Sequence, residues 1–305
     1  MNRFIVLVFV VIVALPLGAN IAGVDGADPE AENRTLAPFP ALQPSLESIR
    51  NYPAGFTAWF EDHFGFRARL VRWYGETRLF ALRVSPTPSV VNGRDDWFFY
   101  GEDGSLDDYA HVDPLTPAAQ DNWREAVGRA RDWLRQRHVP YVFFVAPDKY
   151  AIYPEMMPRT IEVLGPVSRT DQLYHALAHG GVAVDFRGAL MAAKARERIY
   201  QKTDTHWNDR GAHVAYQAIV EAVRRQLPTM PPAWTRDDFE PATRVVNGMD
   251  LAGMMGLTRV IRGRIWCWCR SGRAWRGSSS PPAPKRWRRK DGSSPKFRVR
   301  RCRAR

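Results

Sequence analysis

The chain has 305 residues, and its hydrophobic share of 45% is enough to bury one sizeable core with a small appended region. Its net charge of +12 would fit nucleic acid or an anionic membrane, but 17 of the 44 Lys and Arg residues lie in residues 259–305. That tail contains one acid, Asp291, so the preceding 258 residues carry 27 basic and 31 acidic residues. The positive charge is therefore a property of the tail, and no nucleic-acid partner is expected.

All three cysteines lie in the same tail, at positions 267, 269 and 302. An odd number of cysteines leaves one thiol over, so they make a poor disulfide framework. A Cys-x-Cys pair that lacks a second ligand pair at the usual spacing is also a poor zinc site. We expect neither a metal ion nor a cofactor, and the cysteine-free body suits an exported protein.

The N-terminus carries an almost unbroken apolar run over residues 4–17, preceded by Arg3. The run has the length of a signal-peptide core, and its extension to residue 24 is long enough for an uncleaved anchor. A buried first strand or helix is the alternative, but no polar face interrupts the run. We therefore expect residues 1–24 to be a signal peptide or a signal anchor. The rest of the chain is then periplasmic, and an uncleaved anchor would hold it at the inner membrane.

Residues 25–90 are predicted to form a linker followed by an N-terminal helical segment. The linker part is rich in Ala, Pro, Gly and acidic residues. From residue 56 to residue 84 the apolar residues recur at spacings of three and four, which predicts a helix that is broken around Gly65. Residues 96–100 then have the composition of a short strand between two glycines.

Strands and helices alternate from residue 117 onward. Thr116 can cap a helix over residues 117–137, with Pro117 in its first turn. The apolar runs at 141–145 and 182–186 are typical of strands buried in a parallel sheet. Further helices are predicted over residues 168–179, 187–200 and 208–226. This alternation predicts an α/β fold with helices packed on a mostly parallel sheet.

The stretch that says most about chemistry is Thr-Asp-Thr-His-Trp-Asn at residues 203–208, on a loop before the last predicted helix. Asp204 and His206 are two residues apart, so both can face one side of an extended segment. A carboxylate beside an imidazole fixes the tautomer of the ring, as a general base that takes a proton from a serine requires. Trp207 could shield the pair from water. The same residues also fit a capping Asp beside a surface His, or a pair of metal ligands.

This stretch and several others resemble the AlgX/AlgJ-type SGNH proteins, related to the DHHW proteins, that O-acetylate bacterial polysaccharides. Asp-Thr-His-Trp-Asn at 204–208, followed by Gly211 and Ala212, resembles the family's Asp-x-His-Trp signature. Gly-Met-Asp-Leu-Ala at 248–252 resembles its Gly-Asp-Leu-Ala stretch. Other similar segments lie in the same order at residues 32–40, 62–67, 92–100, 146–149 and 153–155. The resemblance covers about residues 30–258.

The resemblance implies an SGNH-like three-layer sandwich over residues 91–258, incomplete at its C-terminus, that serves alginate-type O-acetylation of an exopolysaccharide. It makes Asp204 the acid that orients the histidine and His206 the general base of a Ser–His–Asp triad. Lys149 and Tyr153 follow a predicted strand end, where open α/β sheets bind ligands. Together with Trp207, which could stack on a sugar ring, they are expected to bind the substrate. The expected partners are an exopolysaccharide and acetylation-complex proteins at the inner membrane.

In this family the nucleophilic serine follows the signature, in a motif similar to Asp-Ser-Phe, and nothing after Leu257 fits it. Residues 259–305 combine Arg, Trp, Cys, Pro and Ser, as a GC-rich gene does when it is read out of frame. We therefore expect a frameshift between residues 258 and 261, a disordered basic tail, an exposed sheet edge and an inactive chain with an unknown nucleophile. The alternatives are a genuine cationic tail that binds polyanions, and a non-catalytic protein that binds polysaccharide or joins an acetylation complex.

Overall fold

The computed structural model describes residues 2–23, 35–41 and 43–270. Residues 25–34 of the predicted linker and the tail from residue 271 lie outside the described residues. The helices are α1 (Asn2–Ile21), α2 (Leu46–His63), α3 (Arg67–Glu76), α4 (Ser105–Ala110), α5 (Pro117–Arg135), α6 (Lys149–Ile152), α7 (Arg169–Leu177), α8 (Arg187–Lys194), α9 (Asp209–Gln226) and α10 (Asp250–Met254). The strands are β1 (Val90–Asn92), β2 (Phe98–Tyr100), β3 (Phe239–Asn247) and β4 (Arg262–Arg270).

The N-terminal helix α1 is the one helix among the described residues that is long and apolar enough to cross a membrane. Its stretch Arg3–Ile21 has a mean hydropathy of 2.8, and most of its large apolar side chains are exposed. A signal sequence has the same length and composition, so the helix fits a signal or an anchor. Near its end, the Asn20 side-chain amide donates to the carbonyl of His63, which ties α1 to the end of α2.

A break at Gly65 separates α2 from α3, as the apolar spacing predicts. Phe66 has a left-handed backbone, with φ of 64°, and α3 begins at the next residue. Glycine is required at position 65 because an added Cβ would collide with the carbonyl of Pro16 in α1. The break is therefore both a turn between two helices and the place where α1 packs against them.

The largest hydrophobic core lies between the β1–β2 hairpin and helices α6, α8 and α9. The two short strands pair antiparallel, with Val91 opposite Phe99. The predicted strand over 96–100 is confirmed only from Phe98, because Asp95 and Asp96 take positive φ angles in the turn of the hairpin. The buried members of this core are Trp97, Phe99, Tyr109, Tyr150, Ile152, Tyr153, Met157, Phe186, Leu190, Ile199, Tyr200 and Ala215.

Three helices begin at or next to the predicted starts at residues 117, 168 and 208, each after a capping residue. The Thr116 hydroxyl caps α5, and Ser168 and Asp171 form a capping box at the start of α7. Asn208 caps α9 through its side-chain oxygen. These caps satisfy backbone amides that would otherwise lack partners at the first turn of each helix.

The expected mostly parallel sheet is not seen in the part of the chain that the structure describes, where both sheets are two-stranded and antiparallel. The predicted strands at 141–145 and 182–186 meet only in a parallel bridge between Phe143 and Ala183. An apolar run predicts burial but cannot state how many strands will flank it. Because residues 141–145 pair with another segment only through this bridge, they are not fully covered, and Phe144 is 38% exposed.

Helix α8 ends at Lys194, earlier than the predicted end at residue 200. Ile199 and Tyr200 are 0% and 1% exposed, because the chain turns them into the core instead of continuing the helix. Tyr200 then forms an antiparallel bridge with Trp207. This bridge closes the base of the loop that carries Asp204 and His206.

The start of the basic tail is a strand, which corrects the expectation of disorder from residue 259. β4 pairs antiparallel with β3 over the full length of both, from Phe239–Arg270 to Asn247–Arg262. β4 contains Ile, Trp and Cys residues, and aromatic and β-branched residues favour strands. Its backbone also pairs one edge of β3 that would otherwise be open. The remainder of the tail lies outside the described residues.

Candidate active site

The loop over residues 201–206 is held at its base by backbone and side-chain bonds of one residue, Asn208. The Asn208 amide donates to the Ile199 carbonyl at 2.9 Å, and its side-chain amide donates to the Arg198 carbonyl at 2.7 Å. The oxygen of the same side chain caps α9. Asn208 therefore fixes the loop and the helix that follows it in one position.

The structure brings Asp204 and His206 into direct contact on this loop. His206 Nδ1 lies 2.7 Å from Asp204 Oδ1, and the His206 amide donates to the same oxygen at 3.0 Å. The Asp204 side chain is 12% exposed, whereas the His206 side chain is 78% exposed. A buried carboxylate thus holds one edge of the ring, and within the described residues Nε2 has no hydrogen-bond partner. This arrangement suits a general base that faces solvent.

Lys149, in the first turn of α6, holds the loop from the inside. Its ammonium donates to the carbonyls of Gln201, Lys202 and Asp204 at 3.1, 3.2 and 2.6 Å. The residue is 4% exposed, and its Nζ lies 5.1 Å from the centre of the Phe99 ring. Three carbonyl oxygens match the three hydrogens of an ammonium, which offsets part of the cost of burying the charge.

Burial lowers the pKa of Lys149 to about 7, although the carboxylates of Asp250 and Asp204 act in the opposite direction. The charge of this side chain therefore changes close to neutral pH. A neutral amine has two hydrogens, so deprotonation removes one of its three bonds to the loop. We therefore expect the loop to lose one of these three hydrogen bonds when Lys149 is deprotonated.

Asp250, at the start of α10, belongs to the site although the sequence assigned it no role. Its Oδ1 and Oδ2 accept the Thr205 amide at 3.0 and 3.2 Å, and its Oδ2 accepts the Thr205 hydroxyl at 2.6 Å. The same Oδ2 lies 3.9 Å from His206 Nδ1. The signal that could have found it is the Gly-Met-Asp-Leu-Ala segment, which resembles a family stretch but does not by itself say what its acid contacts.

The donor atoms of Asp204, His206 and Asp250 lie within 4.8 Å of one another, which is close enough to hold a metal ion. His206 Nδ1 is already within hydrogen-bond distance of Asp204 and of the Thr205 hydroxyl. A cation would have to replace those bonds. The geometry therefore fits a hydrogen-bonded dyad better than a metal centre.

Of the residues expected to bind substrate, Tyr153 lies in the core and Trp207 is partly buried against it. Tyr153 is 5% exposed, its hydroxyl accepts the Ile199 amide at 3.1 Å, and burial raises the pKa of its phenol. Trp207 packs against the rings of Phe186 and Tyr200. Tyr153 is therefore packed in the core in this structure, because a position after a strand predicts proximity to the site but not exposure.

Trp207 lies beneath the loop and does not shield the imidazole, which stays largely exposed. Lys149, the third expected substrate contact, reaches a cleft of about 320 Å³ that Thr205 and Asp250 also line. A larger cavity of about 470 Å³ borders the same loop at Lys202 and Thr203. Both spaces thus border the loop that carries the dyad and are large enough for a ligand, although their linings do not include Asp204 or His206.

No serine hydroxyl is hydrogen-bonded to His206 among the described residues. Ser105 lines the 320 Å³ cleft, but it makes no hydrogen bond to the imidazole. The hydroxyl that lies near His206 is that of Thr205, 3.1 Å from Nδ1, which is the ring nitrogen turned away from a nucleophile. The described part of the chain therefore places a carboxylate on His206 but no serine hydroxyl.

The family model for the SGNH hydrolase-like domain of acetyltransferase AlgX matches residues 90–261, more than half of the chain. The chain belongs to this family. The matched region contains the dyad, Lys149 and Asp250, so the site described above lies within the family domain.

Two similar curated relatives of this AlgX-family chain carry the name "Probable alginate O-acetylase AlgJ". The protein of Pseudomonas putida is 37% identical over 152 residues, which cover 48% of this chain and 37% of the relative. The protein of Pseudomonas aeruginosa is 32% identical over 142 residues, or 45% of this chain and 34% of the relative. The chain therefore matches little more than a third of the length of these relatives.

Two solved structures are similar to this AlgX-family chain. The O-acetyltransferase domain of Pseudomonas putida AlgJ has a TM-score of 0.40 and 27% identity, and the match covers 61% of this chain and 65% of that one. Bacillus cereus PatB1 has a TM-score of 0.40 and 13% identity, with 59% and 58% covered.

Proposed function

We propose that this chain derives from an exported polysaccharide O-acetyltransferase of the alginate type, in which Asp204 orients His206 as the general base. The observation that carries the proposal is the 2.7 Å contact between a buried carboxylate and an exposed imidazole inside the family domain. The names of the AlgJ relatives support alginate as the class of acceptor.

In this proposal His206 Nε2 takes the proton of a serine hydroxyl while the serine oxygen attacks the carbonyl of an acetyl ester. The proton passes to the leaving alcohol, and the serine retains the acetyl group. A sugar hydroxyl then attacks the acetyl-serine, His206 takes its proton, and the serine oxygen receives that proton as it leaves. Asp204 stays ionised and stabilises the imidazolium in both steps.

We infer that the chain as written performs this chemistry poorly. The described residues place no serine on His206, and no Asp-Ser-Phe-like motif follows Leu257 in the sequence. In serine hydrolases the loss of the nucleophile alone costs about a million-fold in turnover. An intact acid and base would therefore leave little activity.

The larger cavity supports an acidic polysaccharide as the ligand. It borders the dyad loop, and its lining includes the basic residues Arg83, Arg198, Lys202 and Arg262 together with one acid, Asp96. Several cations around one cavity attract an anionic chain such as a polyuronate. The second candidate function, a non-catalytic binder or acetylation-complex protein, is favoured by the same cavity, because binding needs no nucleophile.

The proposal includes a periplasmic location, with α1 as a signal or as an anchor in the inner membrane. It also includes an SGNH-type three-layer sandwich with a mostly parallel sheet. The parallel bridge between Phe143 and Ala183 supports that sheet, and the apolar length of α1 supports export.

Resequencing the gene through codons 250–305 tests the catalytic part of the proposal. If a single-base change restores an Asp-Ser motif, the restored chain should acetylate a polyuronate, and His206→Ala should abolish that activity. If the reading frame stands as written, the chain as it exists has no triad and the binding function is left.

Binding of a polyuronate oligosaccharide tests the second candidate. Removing two cations of the cavity, with Arg83→Gln and Arg262→Gln together, should weaken binding at low salt by about tenfold. Arg225→Gln, at an exposed position of α9, is the matched control and should leave binding unchanged. Equal losses in both proteins would show that the cavity does not select the ligand.

A further inference from the structure

The segment that precedes and begins α10 is bonded residue by residue to the loop that carries the dyad. The Met249 amide donates to the Thr203 hydroxyl at 3.4 Å, and the Leu251 amide donates to the Thr203 carbonyl at 3.2 Å. Between them, Asp250 accepts both the amide and the hydroxyl of Thr205. These hydrogen bonds join the two segments side by side.

Asp250 is rigidly placed because its neighbours are core residues. Leu251 and the following Ala252 are both 0% exposed, and Leu251 belongs to a core cluster with Leu79, Val90 and Phe98. A carboxylate that is held on buried neighbours presents its oxygens at fixed positions. Asp250 can thus impose a geometry on Thr205 and does not simply follow it.

The hydrogen bond from Thr205 to Asp250 decides what the Thr205 hydroxyl can offer to the imidazole. A hydroxyl has one proton, and at 2.6 Å that proton points to Asp250 Oδ2. Towards His206 Nδ1, 3.1 Å away, the oxygen can then offer only a lone pair. An acceptor at this distance favours a proton on Nδ1, and Asp204 Oδ1 presents a second acceptor to the same nitrogen.

We propose that Asp250 is a positioning residue that acts through Thr205 to hold His206 in the Nδ1–H tautomer, with Nε2 free to accept a proton. This inference rests on the proposed function, in which Nε2 of His206 is the base. The bond that Asp250 makes with the Thr205 amide secures the loop, and the bond with the hydroxyl selects the tautomer. Asp204 and Asp250 thereby act on one nitrogen by two separate routes.

Histidine-selective ¹⁵N NMR of the full chain in detergent micelles shows which ring nitrogen carries the proton. The chain has seven histidines, and a His206→Gln variant assigns the signals of the ring in question. The direct bias from Asp204 is first removed with Asp204→Ala, which leaves neither an acceptor nor a donor of that side chain at Nδ1, so that the Thr205–Asp250 route is what remains. In that protein the neutral ring should still be mainly Nδ1–H.

Adding Thr205→Val to Asp204→Ala should change the Nδ1–H to Nε2–H ratio by about tenfold or more, because it removes hydrogen bonds that involve a charged carboxylate. Adding Asp250→Asn should act in the same direction, because an amide can donate to Thr205 and free its proton for Nδ1. Thr205→Ser keeps the hydroxyl and should keep the tautomer. Asp237→Asn, an exposed acid of the same domain, is the control and should change nothing.

A purely structural role of Asp250 gives a different result. Thr205→Val retains the amide bond to Asp250, so a tautomer unchanged by Thr205→Val would overturn the proposal even if Asp250→Asn does not fold. The measurement does not depend on acetyl transfer. The proposed function is tested separately, in a chain whose nucleophile has been restored. If that chain transfers no acetyl group while the tautomer changes as predicted, the proposed function falls and the tautomer assignment stands.

Discussion

The inner and outer sides of the dyad loop differ in how many partners they have. On the inner side, Lys149 bonds three carbonyls, Asp250 bonds Thr205, and Asp204 is buried against His206 Nδ1. On the outer side, the imidazole is 78% exposed, and within the described residues no hydroxyl of a serine meets it. The contrast teaches that the contacts that orient the imidazole are complete in this stretch of chain, whereas its exposed edge has no partner among the described residues.

The largest expected effect is on the free energy of unfolding, when a buried residue of α10 beside the dyad loop is truncated. Leu251→Ala should lower the free energy of unfolding by about 3–5 kcal/mol, because it opens a cavity under a fully buried side chain. Met254→Ala on the same helix is the control, since Met254 is 46% exposed, and should cost about 0.5 kcal/mol or less. Chemical denaturation measures both, and equal losses would show that α10 does not anchor the loop.

The next effect is on the pH dependence of stability through Lys149. Its folded pKa of about 7 lies below the ordinary value of 10.5, so between those values the unfolded state binds more protons. Stability should therefore rise with pH across this window, by up to about 1.4 kcal/mol per pH unit. Unfolding at several pH values should show this rise in the wild type and in Lys202→Met, but not in Lys149→Met. A rise that persists without Lys149 would assign it to another group.

The smallest effect compares a cap beside the dyad with a cap far from it. Asn208→Ala removes the α9 cap and the bond to the Arg198 carbonyl, so it should cost about 1.5–2 kcal/mol. Thr116→Ala removes only the α5 cap and should cost about 1 kcal/mol. Thermal melts of the two variants would sharpen the comparison, because an equal cost would mean that the base of the dyad loop adds nothing to the cap.

Local signals in the sequence predicted the helix starts and the dyad. The side chains of Thr116, Ser168 and Asn208 accept hydrogen bonds from backbone amides two or three residues later, so these caps depend on adjacent sequence alone. The same holds for Asp204 and His206, whose contact spans two residues. Such short-range bonds need no knowledge of the rest of the fold.

Contacts between residues far apart in the sequence could not be predicted from such local patterns. Asp250 meets Thr205 across 45 residues, and Lys149 reaches the Asp204 carbonyl across 55, so no local pattern links them. Tyr153 follows a predicted strand, but its burial depends on packing against Trp97, 4.3 Å away between ring centres. The sequence did not predict the β3–β4 pairing, because the composition of the tail does not indicate a strand. The strand is recognised only by its hydrogen bonds to β3.

Turnover of an activated acetyl ester by the full chain and by its His206→Ala variant tests the central claim most directly. The claim is that the chain has an oriented base without a nucleophile placed to use it. The account predicts equal turnover in the two proteins, at the rate at which the ester hydrolyses without enzyme. Turnover in the wild type that is well above this level and is lost in His206→Ala would contradict it, because it would require a nucleophile on the exposed side of the imidazole.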